Sequence, residues 1–276
     1  MKAKHRGLTG VIAIVASIVV FIVPFIFVVL QAMKTPAEAS RLEFSWPEQL
    51  AFVENLTEVL TMRNGVVIRA FINSTVITVS AVTIMVIISA MVGYVLARRS
   101  SRWNPLVNFL VLAGLIVPPA VVPTIWLLQG LGLFRTIPGL VLVQATFGIS
   151  FCILLFRAFV GTIPRELDEA ALIDGAGPVR LFFRVILPLM KPTVITVIVV
   201  QAVNVFNDFV HPLYFLPGDE NATVQLTLYN LMSAQAANQW NLLFTNTLLI
   251  TIPPLIMFIF FNRQIVAGMT SGAVKG

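Results

Sequence analysis

Twenty-three residues from Leu8 to Leu30 pass without a charged side chain, and five more apolar runs follow. At about 1.5 Å per helical residue, runs of this kind cross a hydrocarbon core of roughly 30 Å. No other feature constrains the fold as tightly. In lipid a break in a helix is tolerated only where neighbouring helices or water satisfy the freed backbone groups. The sequence therefore predicts an all-helical integral membrane protein with six spans, near 8–31, 69–97, 105–128, 139–160, 192–216 and 241–262. Composition agrees: 11% of residues are charged, where soluble domains have about 25%. The net charge of +6 is scattered over connections instead of massed on one face, so nucleic acid is not an expected partner. Cys152 is the single cysteine, which excludes an internal disulfide, and it sits in an apolar run as a small buried hydrophobe would.

Lysine and arginine placement predicts the orientation. Thirteen fall in the two ends and in the connections after the second, fourth and sixth spans, against five (Lys34, Arg41, Arg63, Arg69 and Arg135) in the others. Both termini are expected to be cytoplasmic. The first apolar run exceeds the core of a typical signal peptide and lacks a small-residue cleavage site, so it reads as a retained span. Residues 32–68 are expected outside, acidic and partly helical from Glu54 to Leu60, with a turn at Trp46-Pro47. Prolines at 24, 118, 119, 123, 253 and 254 predict bends in a packed bundle.

The stretch between the fourth and fifth spans has its own logic. Thr162-Ile163-Pro164 is a helix start, and Glu166, Asp168 and Glu169 follow where the helix dipole favours negative charge. Leu167, Ala170 and Ala171 share a face by spacing. Gly175 is placed to end the helix in a left-handed conformation. A second helix starts near Pro178, with an apolar stripe of Val179, Phe182, Phe183, Ile186 and Leu187 and with Arg180 and Arg184 opposite. Pro188 is expected to turn the chain back to the membrane. The residues alone allow two readings: a docking knob for another protein, or an ordinary interfacial hairpin.

The spacing Glu169-Ala170-Ala171, three residues, Gly175, nine residues, Val185, one residue, Leu187-Pro188 resembles the EAA loop of ABC-importer permeases. Val185 stands where that family usually has isoleucine. The resemblance implies a MetI-like type I importer bundle, with residues 69–262 as its transmembrane core. Residues 1–68 then hold a tail, the first span and the outer segment, and 263–276 a cytoplasmic tail. It implies that the loop, with Asp174 included, docks on a cytoplasmic ATPase. Asn207-Asp208-Phe209 with Pro212-Leu213 is similar to the fifth span of carbohydrate permeases. The ending from Gly268 to Gly276 is similar to the maltose-type permease that pairs with a second, different permease, and implies ATPase contacts for Gly272, Lys275 and Gly276. The same likeness implies that the outer loop, through Asn221, Gln239 and Trp240, meets an extracytoplasmic sugar-binding protein.

Within the fifth span Gln201, Asn204, Asp208 and His211 recur at helical spacing. Polar groups do not face lipid cheaply, so this stripe is expected toward the bundle or a solute path. Asp208 also admits a purely structural role, and His211 reads as interfacial. Small polar residues of the second and sixth spans are expected to serve helix packing. No glycine precedes any lysine, so no phosphate-binding loop exists. No metal spacing or paired catalytic groups appear. The expected function is import of a sugar or oligosaccharide through half a path, with no chemistry of its own. Expected partners are a second permease, two ATPase subunits that hold the ATP and magnesium, the binding protein and the bilayer. The rival reading, a stand-alone ion-coupled carrier, predicts an internal repeat and midplane charges, and neither is evident.

Overall fold

The computed structural model describes residues 14–234 and 239–271, with side chains for residues 14–232 and 239–261. Every regular element among them is helical. In chain order these are α1 Ile14–Ala32, α2 Pro36–Ala39, α3 Phe52–Arg98, α4 Asn104–Ile116, α5 Val121–Gly130 and α6 Ile137–Val160. They continue with α7 Glu166–Ile173, α8 Pro178–Leu189, α9 Lys191–Asn207, α10 Val210–Phe215, α11 Val224–Ala234 and α12 Trp240–Ser271. α1, α3, α6 and α12 are long and apolar enough to cross a bilayer.

The remaining two expected spans are broken. The run 105–128 is not one straight crossing: α4 and α5 meet at 116°. Pro118 and Pro119 lack amide hydrogens and push their predecessors out of the helical region, so the helix stops at Ile116. The run 192–216 is α9, then a break at Asp208-Phe209, then the short α10. The chain turns by 76° between α8 and α9, at Met190, beside the expected Pro188.

The chain divides into two compact units. In the unit made of Phe71–Thr223 and Pro254–Gly276, α6 is the central helix. Thr136 starts it by accepting a hydrogen bond from the Gly139 amide at 3.1 Å. Against it lie α3, through Ser89 Oγ donating to the Ile149 carbonyl, and α4, through Arg157 Nη1 donating to Asn108 Oδ1 at 2.6 Å. The apolar core includes Met85, Leu140, Phe156, Ile186 and Phe215, and Cys152 is buried in it as expected.

The unit made of Met1–Ala70 and Val224–Pro253 is held by a polar clasp. Lys34 is 2% exposed, and its ammonium donates to the Glu43 carbonyl at 2.7 Å and to Ser45 Oγ at 3.0 Å. Asn55 donates to the carbonyls of Ala32 and Lys34, and Asn241 on α12 donates to Asn55. The expected helix at Glu54–Leu60 is present as the start of α3, which breaks at Met62–Gly65 before running on.

α2 opens with a capping box between Thr35 and Glu38. The Glu38 carboxylate also accepts from the Glu48 amide at 2.8 Å. That bond, more than any other contact, holds its pKa below the ordinary 4.5. A depressed carboxylate contributes stability above its unfolded value, and the contribution is lost as pH falls through the folded value. Amide exchange at Thr35 and Glu48, corrected for intrinsic rates, is therefore expected to rise below pH 4.5. The rise is expected to be absent in Glu38→Gln.

Candidate functional site

Two features of the α6-centred unit carry the chemistry: a protruding helical hairpin and a polar cavity.

The hairpin is α7 and α8. Its sequence spacing follows from how α7 ends. The Ala176 amide bonds the Ala171 carbonyl at 2.9 Å and the Gly175 amide bonds the Leu172 carbonyl at 3.0 Å. These are the paired bonds of a Schellman stop, which needs one residue in the left-handed region. Gly175 supplies it with φ +79°, as its position predicts. The motif also sets two alanines inward: Ala171 and Ala176 both pack on the core.

The inward face of α7 is one residue away from the expected one. Asp168 and Ala171 point in, while Leu167 and Ala170 are exposed. The exposed side also carries Glu169, Leu172 at 54% and Ile173 at 85%. α7 is thus bulkier outside than its alanines imply.

α8 also departs from its expected stripe. Leu181, Phe182 and Ile186 are buried, Val185 and Leu187 are half-buried, and Val179 and Phe183 are exposed. A π-helical turn occupies Phe182–Ile186, and its two ends, Phe182 and Ile186, are both buried beside Leu181. Arg180, Arg184 and Pro188 are exposed.

Asp168 is more than a favourable charge at a helix start. Its Oδ1 accepts from Tyr94 Oη at 2.6 Å, and its Oδ2 pairs with Arg98 Nη2 at 3.0 Å. The Arg98 and Asp168 side chains are 9% and 13% exposed. Arg98 also donates to the Ile163 carbonyl at 2.7 Å, in the loop that enters α7. The Tyr94 ring lies 5.7 Å from Phe182 on α8. Around this cluster is a cavity of about 210 Å³ lined by Arg99, Arg165 and Glu169 among others.

The second feature is a cavity of about 560 Å³ between α6, α9 and α10, with Met85 of α3 on its wall. It brings together Gln201, Asn204 and Asp208, the three residues expected along a path. Of these Gln201 is buried, Asp208 half-buried and Asn204 exposed. Gln144, Phe147 and Phe151 of α6 complete the cavity, and sequence reasoning did not single them out. Asp208 joins both roles weighed for it. Its Oδ1 accepts from the amides of Val210 and His211 and so starts α10, while its Oδ2 meets His211 Nδ1 at 2.6 Å and the Gln144 side-chain amide. His211 lines the cavity, with its ring between Phe147 and Phe215.

Asn221 donates to the Arg135 carbonyl at 3.4 Å, which ties the loop after α10 to the loop before α6. Gln239 and Trp240 belong to the other unit, where Gln239 is exposed and Trp240 lies against Phe244. The expected ATPase-contacting tail, Gly272, Lys275 and Gly276, lies outside the described residues. No group of metal-binding side chains occurs among the described residues.

A multi-pass helical membrane protein with a polar cavity between broken helices and an exposed helical knob is built for transport. Residues 59–271 match the family described as binding-protein-dependent transport system inner membrane component, and the chain belongs to that family. Among its relatives is the diacetylchitobiose uptake system permease protein NgcG of Streptomyces coelicolor, 33% identical over 93% of this chain and 85% of the relative. The melibiose/raffinose/stachyose import permease protein MelC of Bacillus subtilis is 27% identical over the whole of both chains. The arabinooligosaccharides permease AraQ of Halalkalibacterium halodurans is 30% identical over 96% of this chain and 94% of its own length. In fold the chain is similar to a bacterial ABC transporter for the acidic polysaccharide alginate. That likeness has a TM-score of 0.80 at 19% identity and covers 95% of both chains.

Proposed function

We propose that this chain forms half of the path of a sugar importer and takes its drive from a cytoplasmic ATPase gripping α7. The observation that carries the reading is the two-sidedness of α7. One face is fixed to the bundle by Asp168 and Ala171, while Glu169, Leu172 and above all Ile173 are exposed. Both termini then lie in the cytoplasm. A second permease supplies the other half of the path, two ATPase subunits hold ATP and magnesium, and an extracytoplasmic binding protein delivers the solute. The chain itself makes and breaks no covalent bond.

The cavity favours a neutral saccharide. Its lining offers rings for sugar faces (Phe147, Phe151) and amides for hydroxyls (Gln144, Gln201, Asn204, Asn207). A few placed polar groups among apolar walls is the usual make-up of a small-molecule site. The lining includes a carboxylate and neither lysine nor arginine, so a uronate or phosphorylated sugar meets no counter-charge from this subunit. The saccharides named for NgcG, MelC and AraQ support the same class.

The test is co-purification of the assembled importer. Wild-type chain and Asp208→Asn are expected to retain the ATPase subunit, while Glu169→Lys is expected to lose it or to lose ATP-driven uptake. Solute uptake by the purified chain alone, driven by an ion gradient, would overturn this reading in favour of a secondary carrier.

A further inference from the structure

We propose that Tyr94, Arg98 and Asp168 are positioning residues that pass the displacement of α7 to α3, and through α3 and α6 to the wall of the solute cavity. This rests on the reading of α7 as the docking helix and names the route by which a pull on it reaches the path.

Three parts of the hairpin converge on two side chains one turn apart on α3. The loop entering α7 is held by Arg98 at the Ile163 carbonyl, and α7 itself by Arg98 and Tyr94 at Asp168. α8 is held by the Tyr94 ring on Phe182. On the core α7 packs the methyl group of Ala171, and just past its end the chain packs that of Ala176. Methyl contacts slide. The Tyr94 bond to the Asp168 carboxylate and the Arg98 bond to the Ile163 carbonyl are charge-assisted hydrogen bonds, directional and strong where water is scarce, and Arg98 and Asp168 add an ion pair. A displaced α7 therefore takes the end of α3 with it.

From there the path has no slack. At Gly93 a Cβ atom would lie 2.8 Å from Phe156 Cβ and 2.9 Å from the Arg157 amide nitrogen, so the α3 and α6 backbones are in direct contact. Close-packed interiors of this kind transmit strain. Nine residues before Tyr94, about 14 Å along the helix, Met85 touches α6 again at Gly148, where a Cβ would be 2.4 Å from its sulfur. Met85 and Gly148 are both on the cavity wall, beside Phe147 and Gln201. The chain of contacts from α7 to the cavity is thus continuous within one compact unit, a route of packed side chains and rigid helices along which coupling can travel.

The experiment uses the complete importer in lipid nanodiscs, with its second permease, ATPase and binding protein. Two quantities are read: retention of the ATPase subunit, and the ratio of binding-protein-stimulated to unstimulated ATP hydrolysis. Asp168→Asn and Arg98→Gln are expected to keep the ATPase subunit but to lower the ratio by about fivefold or more, the lower end of typical coupling between sites. Asp168→Glu is expected to recover part of it, because the charge pair returns. Tyr94→Phe removes one hydroxyl and leaves the ring on Phe182, and it too is expected to keep the ATPase subunit and to lower the ratio. An unchanged ratio in Asp168→Asn or in Tyr94→Phe overturns the proposal. Loss of the ATPase subunit from Asp168→Asn also overturns it, because the cluster would then shape the docking surface without relaying from it. A separate measurement isolates the docking reading: Ile173→Cys, otherwise wild type, is expected to cross-link to the ATPase subunit. Failure of that cross-link sinks the docking reading whatever the ratios show.

Discussion

Valine at position 175 is expected to abolish ATP-driven uptake, and asparagine at the same position to leave most of it. The difference is backbone conformation alone. Gly175 has φ +79°, and no atom lies within 4 Å of where a Cβ would stand, so a Cβ there meets no neighbour. A left-handed residue costs an ordinary L-residue about 1–2 kcal/mol. Asparagine is several-fold enriched there, whereas a β-branched residue is an outlier. Valine therefore favours continuing α7 or opening the turn, and either change moves Ala176 off its bond to Ala171. A penalty of one or two kcal/mol shifts a local equilibrium by a factor of about 5–30. That is enough to leave the docking face out of register in most molecules. The expected order of uptake is glycine, asparagine, alanine, valine, measured in proteoliposomes at matched insertion levels. Equal uptake by the valine and asparagine variants would show that the stop has no part in coupling. Aspartate probes something else: the conformation admits it, but its charge would sit at the negative end of the α7 dipole.

The spacing from Glu169 to Pro188 was legible because each landmark has a local cause: a charge at a helix start, a glycine in the left-handed region, a proline near a reversal. The spans were legible because hydropathy over twenty residues is a strong signal. The cavity was half legible. Gln201, Asn204 and Asp208 stand out as polar residues at helical spacing in an apolar run, whereas Phe147 and Phe151 look like any lipid-facing ring until α9 is placed beside them. His211 looked interfacial because nothing in the sequence says that Phe147 and Phe215 flank it.

What the sequence hid is long-range or register-dependent. Asp168 pairs with Tyr94 across 74 positions, and as a lone acid in an acidic helix start it was indistinguishable from Glu166 and Glu169. The available hint was that it lies one turn before Ala171, on the face opposite the exposed Ile173. The stripe of α8 was half legible: Phe182 and Ile186 are buried as their apolar pattern suggests, but Leu181 joins them while Val179 and Phe183 are exposed. Pro118 and Pro119 announced a bend but not its 116° size, which depends on what α4 and α5 pack against.

Two further glycines separate packing that can yield from packing that cannot. A side chain at Gly93 meets the Arg157 amide nitrogen at 2.9 Å and the Ile153 carbonyl at 3.2 Å, both backbone atoms of α6. No rotamer relieves that contact, so α3 and α6 must part. At Gly148 the nearest atoms are the sulfur and methyl of Met85 at 2.4 and 2.6 Å and Gln201 Oε1 at 3.3 Å, all ends of flexible side chains. Methionine adapts to such crowding more readily than any other core residue. Overpacking that side chains absorb costs about 1–3 kcal/mol, and more when backbones must shift. Gly93→Val is therefore expected to fail to accumulate as a folded, detergent-stable protein. Gly148→Ala is expected to accumulate and to keep its thermal transition within a few degrees of wild type. Because the alanine methyl pushes Met85 along the cavity wall, its uptake is expected to fall while its ATPase subunit is retained. Fluorescence-detected size exclusion after heating ranks the three proteins. A Gly93→Val protein as stable as wild type would mean that α3 and α6 are not in contact there, and the route from Asp168 to the cavity would lose its first crossing.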